Sequence, residues 1–430
     1  MEGLHQHDLR LYADPTRVVV RPFQLAWQAS GADLSRVQKL AKDVMSLDTR
    51  TVRAELSVVL ADFADRHWQI ENVFDQRYLE IEPKLELEGV KLRRDTKRLI
   101  GAYFCHEYSY AAAALMNPSV VRHPDQSGLR DQSVRILMSM RAVGEGHIST
   151  IVFREGIVSA GHQIDLLPQP PIATAAMLRG NPEQLGKVTS VYRHADSPIS
   201  GTVIFPVTEA QRNGLEDLRL VEFTHDNGKR EWIGTYTAYS GRGITSELLR
   251  TDDFREFTLS TLTGAAAVNK GMALFPRQIN GQYYMIGRQD GKNLYLLQSP
   301  SLDHWEGGDL LVEPYYPWEF VQIGNCGAPL ELDEGWLVLT HGVGAMRKYA
   351  IGAVLLDKDD PGKLIGRTSV PLLSAADEDR EGYVPNVVYT CGAIIVGDDL
   401  FLPYAIADSS ICFAFFPIKQ ILARMTSTGC

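Results

Sequence analysis

The chain has 430 residues, of which 45% are hydrophobic and 22% are charged, and its formal net charge is −10. This is the composition of an ordinary globular protein. The negative charge argues against a nucleic-acid partner or an anionic membrane surface, because both select basic faces. No apolar stretch approaches the ~20 residues that a membrane span needs.

The cysteines indicate the compartment. They are scattered and odd in number, and no Cys/His pattern has the spacing of metal ligands. We therefore expect reduced thiols that mostly fill the core, no metal and no cofactor. The polar N-terminus lacks an apolar signal core, so a cytoplasmic location is predicted. The cysteines are Cys105, Cys326, Cys391, Cys412 and Cys430.

The first hundred residues are predicted to be mainly helical. The segments 34–44 and 52–63 carry apolar residues at helical spacing. The basic segment 91–98 is expected to lie on a solvated helical face. Residues 110–116 read as the end of a helix that stops at Asn117, because the proline that follows cannot continue it.

After residue 118 the pattern changes to short apolar runs separated by turns, and five pairs of runs look alike. Each pair has a strand, a small polar turn and a second strand, which indicates a hairpin. The pairs are 134–141 with 147–153, 231–239 with 243–249, 282–288 with 292–298, 335–341 with 350–356, and 400–404 with 410–416.

Five similar hairpins predict a radial repeat, with a β-sandwich of unrelated hairpins as the alternative. The fold class is therefore predicted to be all-β, a five-bladed β-propeller with an N-terminal helical extension. The expected domains are the extension at 1–100, the catalytic propeller at 101–417 and a C-terminal tail at 418–430. A propeller gathers equivalent strand ends around one axial pocket, so Arg141, Arg288 and His341 at the ends of first strands are candidates for a shared site.

The run from Gly214 to Leu220 places two carboxylates, Glu216 and Asp217, in an apolar strand. Neighbouring side chains of a strand point to opposite faces, so one can enter a central cavity while the other holds the strand from behind. Asp217 is the candidate general acid, a role that a dry site favours by raising the pKa of a carboxyl. The alternative is a structural ion pair with Arg219. Glu216 would then point away or bind sugar hydroxyls.

Basic side chains supply a candidate binding site. Lys270, before a glycine, and Arg288 could bind an anion or sugar hydroxyls together, or could be ordinary surface ion pairs. His341 ends a very apolar strand, so it is either a pocket residue or a core histidine. Glu331 is a carboxylate in an apolar segment one strand away, with an edge-strand charge as its alternative. Asp408 is expected to fix the turn of the last hairpin.

Several of these segments together resemble glycoside hydrolase family 130, the β-mannoside phosphorylases and β-1,2-mannosidases. The resemblance covers roughly residues 115 to 416. The segments that carry it are Asn117-Pro118, Gly214–Arg219, Lys270–Pro276, Gly327–Pro329 with Glu334–Trp336, Thr340–Val343, Gly352–Pro361 and Gly382–Tyr389. It implies a five-bladed propeller with its active site in the central channel, Asp217 as proton donor, and Asn117 at the substrate site. The family motif has a proline where this chain has Leu218.

The resemblance also bears on phosphate. The phosphorylases of the family bind phosphate through residues that match Lys270, Arg288 and His341. Where they have an asparagine and a lysine, this chain is read as having Gly271 and Glu331. A carboxylate in place of a cation repels phosphate, at roughly 4 kcal/mol per unit-charge interaction at ~4 Å and a dielectric near 20.

The main expectation is therefore hydrolysis. Asp217 would protonate the glycosidic oxygen of a β-mannoside, expected to be a β-1,2-linked manno-oligosaccharide, and Glu331 would activate water from the opposite side. Asp379 and Glu381 are second choices for the base. Inversion requires the two carboxyls to stand roughly 6.5–9.5 Å apart.

Two alternatives remain open. One is a β-mannoside phosphorylase that uses inorganic phosphate as co-substrate and releases α-mannose 1-phosphate. The other is a propeller that binds glycans without cleaving them. The helical extension could cover the pocket, limit substrate length or form a homo-oligomer.

Overall fold

The computed structural model of the protein describes residues 3–23, 35–87, 89–180, 186, 188–376 and 381–427. The chain divides into two compact units. The first is Met1–Pro15, Tyr110–Gln169 and Ala176–Cys430, and the second is Thr16–Ser109 with Pro170–Ala175. In the described ranges, no helix has the length and apolar character needed to cross a bilayer.

The second unit is mainly helical. Its elements are β2 (Val18–Pro22), α1 (Ser35–Met45), α2 (Thr49–Phe63), α3 (Ile70–Ile81), α4 (Arg94–Tyr103), β3 (Cys105–Ser109) and β8 (Thr174–Ala175). The side chain of Asp48 caps α2 by accepting a hydrogen bond from the backbone N–H of Thr51. Val52 and Leu56 of α2 pack with Tyr78 in one apolar cluster. The two helices predicted from apolar spacing are thus confirmed.

The basic segment 91–98 differs from its expected solvated position. Only its second half is helical, and Arg98 is buried in ion pairs with Asp75 and Glu71. These two acids lie on α3, a helix that the apolar spacing did not predict. The guanidinium therefore joins α4 to α3 instead of facing solvent.

The first unit is almost entirely β-sheet. Its strands are β1 (His5–Tyr12), β4 (Ala114–Arg122), β5 (Ser133–Val143), β6 (Ser149–Ser159), β7 (Gln163–Leu166), β9 (Met177–Leu178), β10 (Val188–Tyr192), β11 (Thr202–Ile204), β12 (Gly214–Thr224), β13 (Arg230–Tyr239), β14 (Ile244–Thr251), β15 (Glu256–Thr261), β16 (Ala273–Leu274), β17 (Tyr283–Gly287), β18 (Leu294–Ser299), β19 (Asp309–Val312), β20 (Gln322–Asn325), β21 (Leu330–Glu331), β22 (Trp336–Val343), β23 (Tyr349–Leu356), β24 (Leu364–Thr368), β25 (Leu373–Ser374), β26 (Val388–Tyr389), β27 (Ile394–Val396), β28 (Asp399–Ile406), β29 (Ser410–Pro417) and β30 (Met425–Ser427), and one short helix, α5 (Ile418–Ala423), precedes the last strand.

All five predicted hairpins are confirmed. They are the antiparallel pairs β5–β6, β13–β14, β17–β18, β22–β23 and β28–β29. Apolar clusters fill the space between successive hairpins, and a smaller one of Ala114, Met116, Val143 and Ala405 joins the last hairpin to the first. The hairpin groups therefore pack face to face in chain order, and the last also packs on the first.

The segment 110–118 is a strand entrance and not the end of a helix. Residues 110–113 form a turn, and β4 then runs through Asn117 and the proline after it. The ladder between β4 and β5 breaks between Met116 and Ser119, and Asn117 has a φ of 51°. A bulge accommodates proline in a strand, because its missing N–H falls where the ladder is interrupted.

Both chain ends differ from the predicted domains. β1 pairs with β29, with His5 opposite Phe415 and Leu11 opposite Ile411. The predicted C-terminal tail forms α5 and β30, and β30 pairs with β24. The helical segment Thr16–Ser109 is therefore an insertion between two stretches of the first unit and not an N-terminal extension. The pattern missed β1 because its mostly polar sequence, His-Gln-His-Asp-Leu-Arg-Leu-Tyr, lacks an apolar run.

Deleting residues 1–13 is expected to lower the melting temperature of the protein by about 5–10 °C, because β29 loses its backbone ladder with β1 and keeps only the one with β28. Differential scanning calorimetry measures this shift. The matched control replaces Tyr12, which is 63% exposed, by serine and so keeps the ladder. Equal melting temperatures for the deletion and the control would contradict a structural role for β1.

Candidate active site

Two bulged strands aim polar side chains at one point. The ladder of β12 with β13 shifts between Glu216 and Arg219, and Asp217 in the bulge has a φ of 58°. The bulge of β4 holds Asn117 in the same left-handed region. This conformation costs about 1 kcal/mol or more for a non-glycine residue and concentrates at functional sites. The Nδ2 of Asn117 donates a hydrogen bond to the Oδ1 of Asp217.

Arg141 binds both adjacent carboxylates. Its Nη2 lies 2.7 Å from Oε1 of Glu216, its Nη1 lies 3.2 Å from Oδ1 of Asp217, and its Nε donates to Ser149. The expectation that the two carboxylates face opposite sides of the strand is wrong, because the bulge breaks the alternation. Asp217 is 7% exposed and Glu216 is 9% exposed, so the site is largely dry.

Arg219 does not bind the Asp217 carboxylate. Its Nη1 donates to the main-chain oxygen of Asp217 at 2.9 Å, and its guanidinium is buried. The alternative prediction was an ion pair between the Asp217 carboxylate and Arg219. The contact is instead a hydrogen bond to the main chain of Asp217.

The surroundings separate the pKa values of the two carboxyls. Burial alone would raise the pKa of Asp217, but the charges of Arg141 and Lys270, followed by that of Arg219, outweigh it and hold the pKa well below its ordinary value. Burial raises the pKa of Glu216, and the Asp217 charge adds to that effect against the attraction of Arg141. The lowered pKa of Asp217 favours its ionised form.

Asp408 is a third carboxyl of this cluster. It lies in the turn between β28 and β29 with a φ of 50°, which agrees with its expected place in that turn. Burial and the nearby charge of Asp217 raise its pKa to about 6, against the opposing charges of Arg141 and Arg347. The structure thus brings Asp408 to the carboxylate pair, which its turn position alone did not reveal.

The basic residues form the other side of the site. Lys270 lies between Asn269 and Gly271, which both have positive φ, and its charge acts on Glu216, Asp217 and Asp408. The Nδ2 of Asn269 donates to the main-chain oxygen of Arg288 at 3.2 Å. This bond joins the segment that carries Lys270 to Arg288, the residue directly after β17.

Arg288 and His341 are in contact. The Nη1 of Arg288 lies 3.4 Å from Nε2 of His341, and His341 Nδ1 lies 3.3 Å from the main-chain oxygen of Asn325. Because a guanidinium only donates, the imidazole carries its proton on Nδ1 and presents a lone pair on Nε2. Burial, with the charges of Arg288 and Arg219, holds the pKa of His341 well below its ordinary value. His341 is thus a buried histidine whose lowered pKa favours the neutral form.

Glu331 does not join this cluster, so its expected role as a general base beside phosphate is corrected. It pairs with Trp336 at one end of β22, whereas His341 lies five residues further along that strand, roughly 16 Å away. Arg277 binds the Glu331 carboxylate in bidentate fashion at 2.8 and 2.9 Å, and Lys358 lies 3.8 Å from it. The Arg277 bond lowers the pKa of this exposed carboxyl.

Replacing Glu331 by glutamine is therefore expected to change kcat/KM on a β-mannoside by less than about twofold, since the side chain is part of a partly exposed ion pair. Steady-state kinetics with purified protein checks this. A loss of two orders of magnitude or more would restore Glu331 as a base.

The two second-choice candidates for the general base have different outcomes. Asp379 lies outside the described residues, and Glu381 is exposed. Sequence reasoning missed two residues of the site, Asn325 and Tyr389, because neutral polar side chains carry no charge pattern. Asn325 ends β20 and Tyr389 ends β26, so a search for polar residues at strand ends would have found both. In the described part of the chain, no cluster of three or more His, Cys, Asp or Glu side chains is placed to hold a metal ion.

Comparison with known proteins identifies relatives of this arrangement. The family model of glycoside hydrolase family 130, described as β-1,4-mannooligosaccharide phosphorylase, matches residues 195–427, just over half of the chain. The β-1,2-mannobiose phosphorylase of Listeria innocua is 32% identical over 230 residues, which are 52% of this chain and 63% of that protein. The chain thus spans less than two thirds of this relative.

A second relative is the 1,2-β-oligomannan phosphorylase of Thermoanaerobacter sp., 32% identical over 226 residues, which are 50% of this chain and 72% of that protein. Among solved structures, a putative glycoside hydrolase from Bacteroides ovatus aligns with a TM-score of 0.53 at 18% identity, over 74% of this chain and 90% of that one. At this identity the structural likeness concerns the fold alone.

Proposed function

The chain belongs to glycoside hydrolase family 130, and on that premise we propose that it is an inverting β-mannoside phosphorylase. The observation that carries the proposal is the meeting of Lys270, Arg288 and His341 with the buried carboxylate of Asp217. Basic groups next to a proton donor suit an anionic nucleophile, and phosphate is bound best by such charge-assisted hydrogen bonds.

Phosphorolysis replaces hydrolysis as the favoured reaction for a physical reason. The case for hydrolysis assumed that the Glu331 carboxylate stands beside the phosphate and repels it. Glu331 is instead held by Arg277 at the other end of the strand from His341. Without that repulsion the basic group keeps its attraction for phosphate, and the named relatives are phosphorylases.

The proposed reaction breaks one bond and forms one bond at the anomeric carbon. Asp217 gives its proton to the departing glycosidic oxygen, directly or through a sugar hydroxyl. A phosphate oxygen, held by Lys270 and Arg288, attacks the anomeric carbon from the opposite face. Inversion of a β-mannoside then yields α-mannose 1-phosphate, and the proton of the phosphate restores the acid. Asn117, Arg141, Glu216 and Asp408 would orient the sugar and the acid.

Substrate binding must also protonate Asp217, because the lowered pKa of this carboxyl favours the anion. A phosphate dianion beside Lys270 offsets the charge that lowers the pKa of this carboxyl. A bound sugar excludes water and adds to the same effect. Phosphate and the protonated acid therefore stabilise each other, which couples the nucleophile to the proton donor.

We infer that the five hairpin groups are the blades of a β-propeller. Two observations support this arrangement. Apolar clusters join neighbouring hairpins and also the last hairpin to the first. A cavity of about 300 Å³ is lined by one strand or loop from each of the five groups, at Val121, Val221, Pro276, Leu330 and Ile395. Glu331 also lines this cavity. In a propeller, this cavity would be one mouth of the axial channel, and the candidate site would lie at the other mouth.

The proposed substrates are β-1,2-linked manno-oligosaccharides, since the two relatives above are named for β-1,2-linked mannosides. A cytoplasmic location and oligomerisation through the helical unit stay predictions.

Incubation of the protein with β-1,2-mannobiose, with and without inorganic phosphate, tests the function. We expect turnover that requires phosphate, with α-mannose 1-phosphate as the product seen by ³¹P and proton NMR. Mannose released at the same rate without phosphate would identify a hydrolase. Binding without any product would identify a glycan-binding protein.

A further inference from the structure

One buried guanidinium bonds to neutral oxygens throughout the candidate site. Arg219 is 3% exposed. Its Nη1 donates to the main-chain oxygen of Asp217 at 2.9 Å, its Nη2 to the hydroxyl of Tyr389 at 2.7 Å, and its Nε to Oδ1 of Asn325 at 3.2 Å. The first of these bonds grips the bulge that carries the acid, at the residue held in the left-handed region.

Asn325 carries the connection to the basic residues. Its Nδ2 donates to the main-chain oxygen of Gly271, the residue directly after Lys270. Its own main-chain oxygen accepts from Nδ1 of His341, which sets the tautomer of that imidazole. The Tyr389 ring also lies 4.8 Å from the His341 ring, centroid to centroid. Arg219 is thus joined through Asn325 to His341 and to Gly271, the residue that follows Lys270.

Gly271 also lies near the guanidinium of Arg219. Gly271 has a φ of 92°, and a Cβ added there would lie 3.8 Å from Nη2 of Arg219. An added Cβ would thus make only ordinary van der Waals contact with this guanidinium. The link from Arg219 to the backbone next to Lys270 is therefore the hydrogen-bonded side chain of Asn325.

We propose that Arg219 is a positioning residue that fixes the distance between the proton donor Asp217 and the anion-binding residues Lys270 and His341. This inference rests on the proposed function. Arg219 touches neither the sugar nor the phosphate in this scheme and acts through the backbone of Asp217 and through Asn325. Small displacements matter because a shift of about 1 Å of a reacting group can cost 10²-fold in rate.

The test compares Arg219→Lys with a matched control, Arg367→Lys. Arg367 lies on β24, away from the cluster. It is similarly buried, at 5% exposure, and its Nη2 lies 2.7 Å from Oε2 of Glu319. Both variants exchange a buried guanidinium for an ammonium, so both lose stability in a thermal scan. Asn325→Ala and Tyr389→Phe are milder variants that keep the test open if Arg219→Lys does not fold.

Two kinetic readouts separate positioning from a merely structural role. The first compares β-1,2-mannobiose with 2,4-dinitrophenyl β-mannoside, whose leaving group needs no proton. We expect Arg219→Lys to lose about 100-fold in kcat/KM on the disaccharide and tenfold or less on the aryl mannoside. The second readout is KM for phosphate, expected to rise about tenfold in Arg219→Lys and in Asn325→Ala. Arg367→Lys should change neither readout.

The double variant Arg219→Lys/Asn325→Ala should lose less than the product of the two single losses, because both side chains belong to one network. Equal losses on the two mannosides together with an unchanged KM for phosphate would overturn the proposal. If the wild-type protein needs no phosphate, the proposed function fails, whereas the leaving-group comparison still decides whether Arg219 positions the acid.

Discussion

Replacing Asp217 by asparagine is expected to lower kcat/KM on β-1,2-mannobiose by about 10³-fold, because a positioned general acid contributes 10²–10⁴-fold. The amide oxygen can still accept the hydrogen bonds of Asn117 and Arg141, so the site should keep its shape. At neutral pH the amide group has no acidic proton that it can transfer to the leaving oxygen. Steady-state kinetics at saturating phosphate measures this loss.

The leaving group provides the internal check. On 2,4-dinitrophenyl β-mannoside the loss should shrink to about tenfold, since the leaving oxygen needs no proton. The matched control is Glu216→Gln, which removes the neighbouring carboxylate and its 2.7 Å bond to Arg141. It should impair both mannosides equally. If Glu216→Gln instead shows the leaving-group dependence and Asp217→Asn does not, the raised pKa of Glu216 marks that residue as the acid.

Replacing Arg288 by glutamine should have the second large effect, a rise of about 100-fold in KM for phosphate. The Nε of Arg288 is buried and has no hydrogen-bond partner within the described ranges, and its Nη1 faces a neutral imidazole. A guanidinium with unpaired donors in a dry site suits a phosphate oxygen, and charge-assisted bonds to phosphate are about twice as strong as neutral ones.

The same variant should raise the pKa of His341, because the Arg288 charge is the largest influence on it after burial. Initial rates over a range of phosphate concentrations give KM, and NMR of the imidazole gives the pKa. Arg277→Gln is the control, since that arginine binds Glu331 at the other end of the strand from His341. An unchanged KM for phosphate in Arg288→Gln would remove this residue from the anion site.

Local sequence patterns predict most of the secondary structure. The five hairpins follow from apolar runs and turns, and the helices around Val52 and Leu56 from apolar spacing. What the patterns could not provide is the pairing of distant segments. β1 is mostly polar and becomes a strand only because β29 offers it an edge. The placement of residues 1–15 therefore depends on a contact that no local window contains.

The candidate site could likewise be predicted from the sequence only in part. The sequence predicts Arg141 and Arg288 at strand ends, Asp217 inside a strand and Lys270 before a glycine. That Arg141 and Lys270 act on Asp217 follows only from the fold. The match of Glu331 to the family's phosphate-binding lysine is wrong, because Glu331 lies opposite Trp336, at the end of β22 away from His341.

Strict alternation along a strand was also the wrong rule for Glu216 and Asp217. The bulge breaks it and turns both carboxylates toward Arg141. A bulge arises from packing between strands, and its position is not written in the composition of either strand.

The pairing of β1 with β29 has a consequence for synthesis on the ribosome. His5 is made before its partner Phe415, which follows about 400 residues later in the chain, and the interval is roughly 20–80 s at 5–20 residues per second. During that interval β1 lacks the edge with which it pairs. The ladder between β1 and β29 can therefore form only after Phe415 has been synthesised.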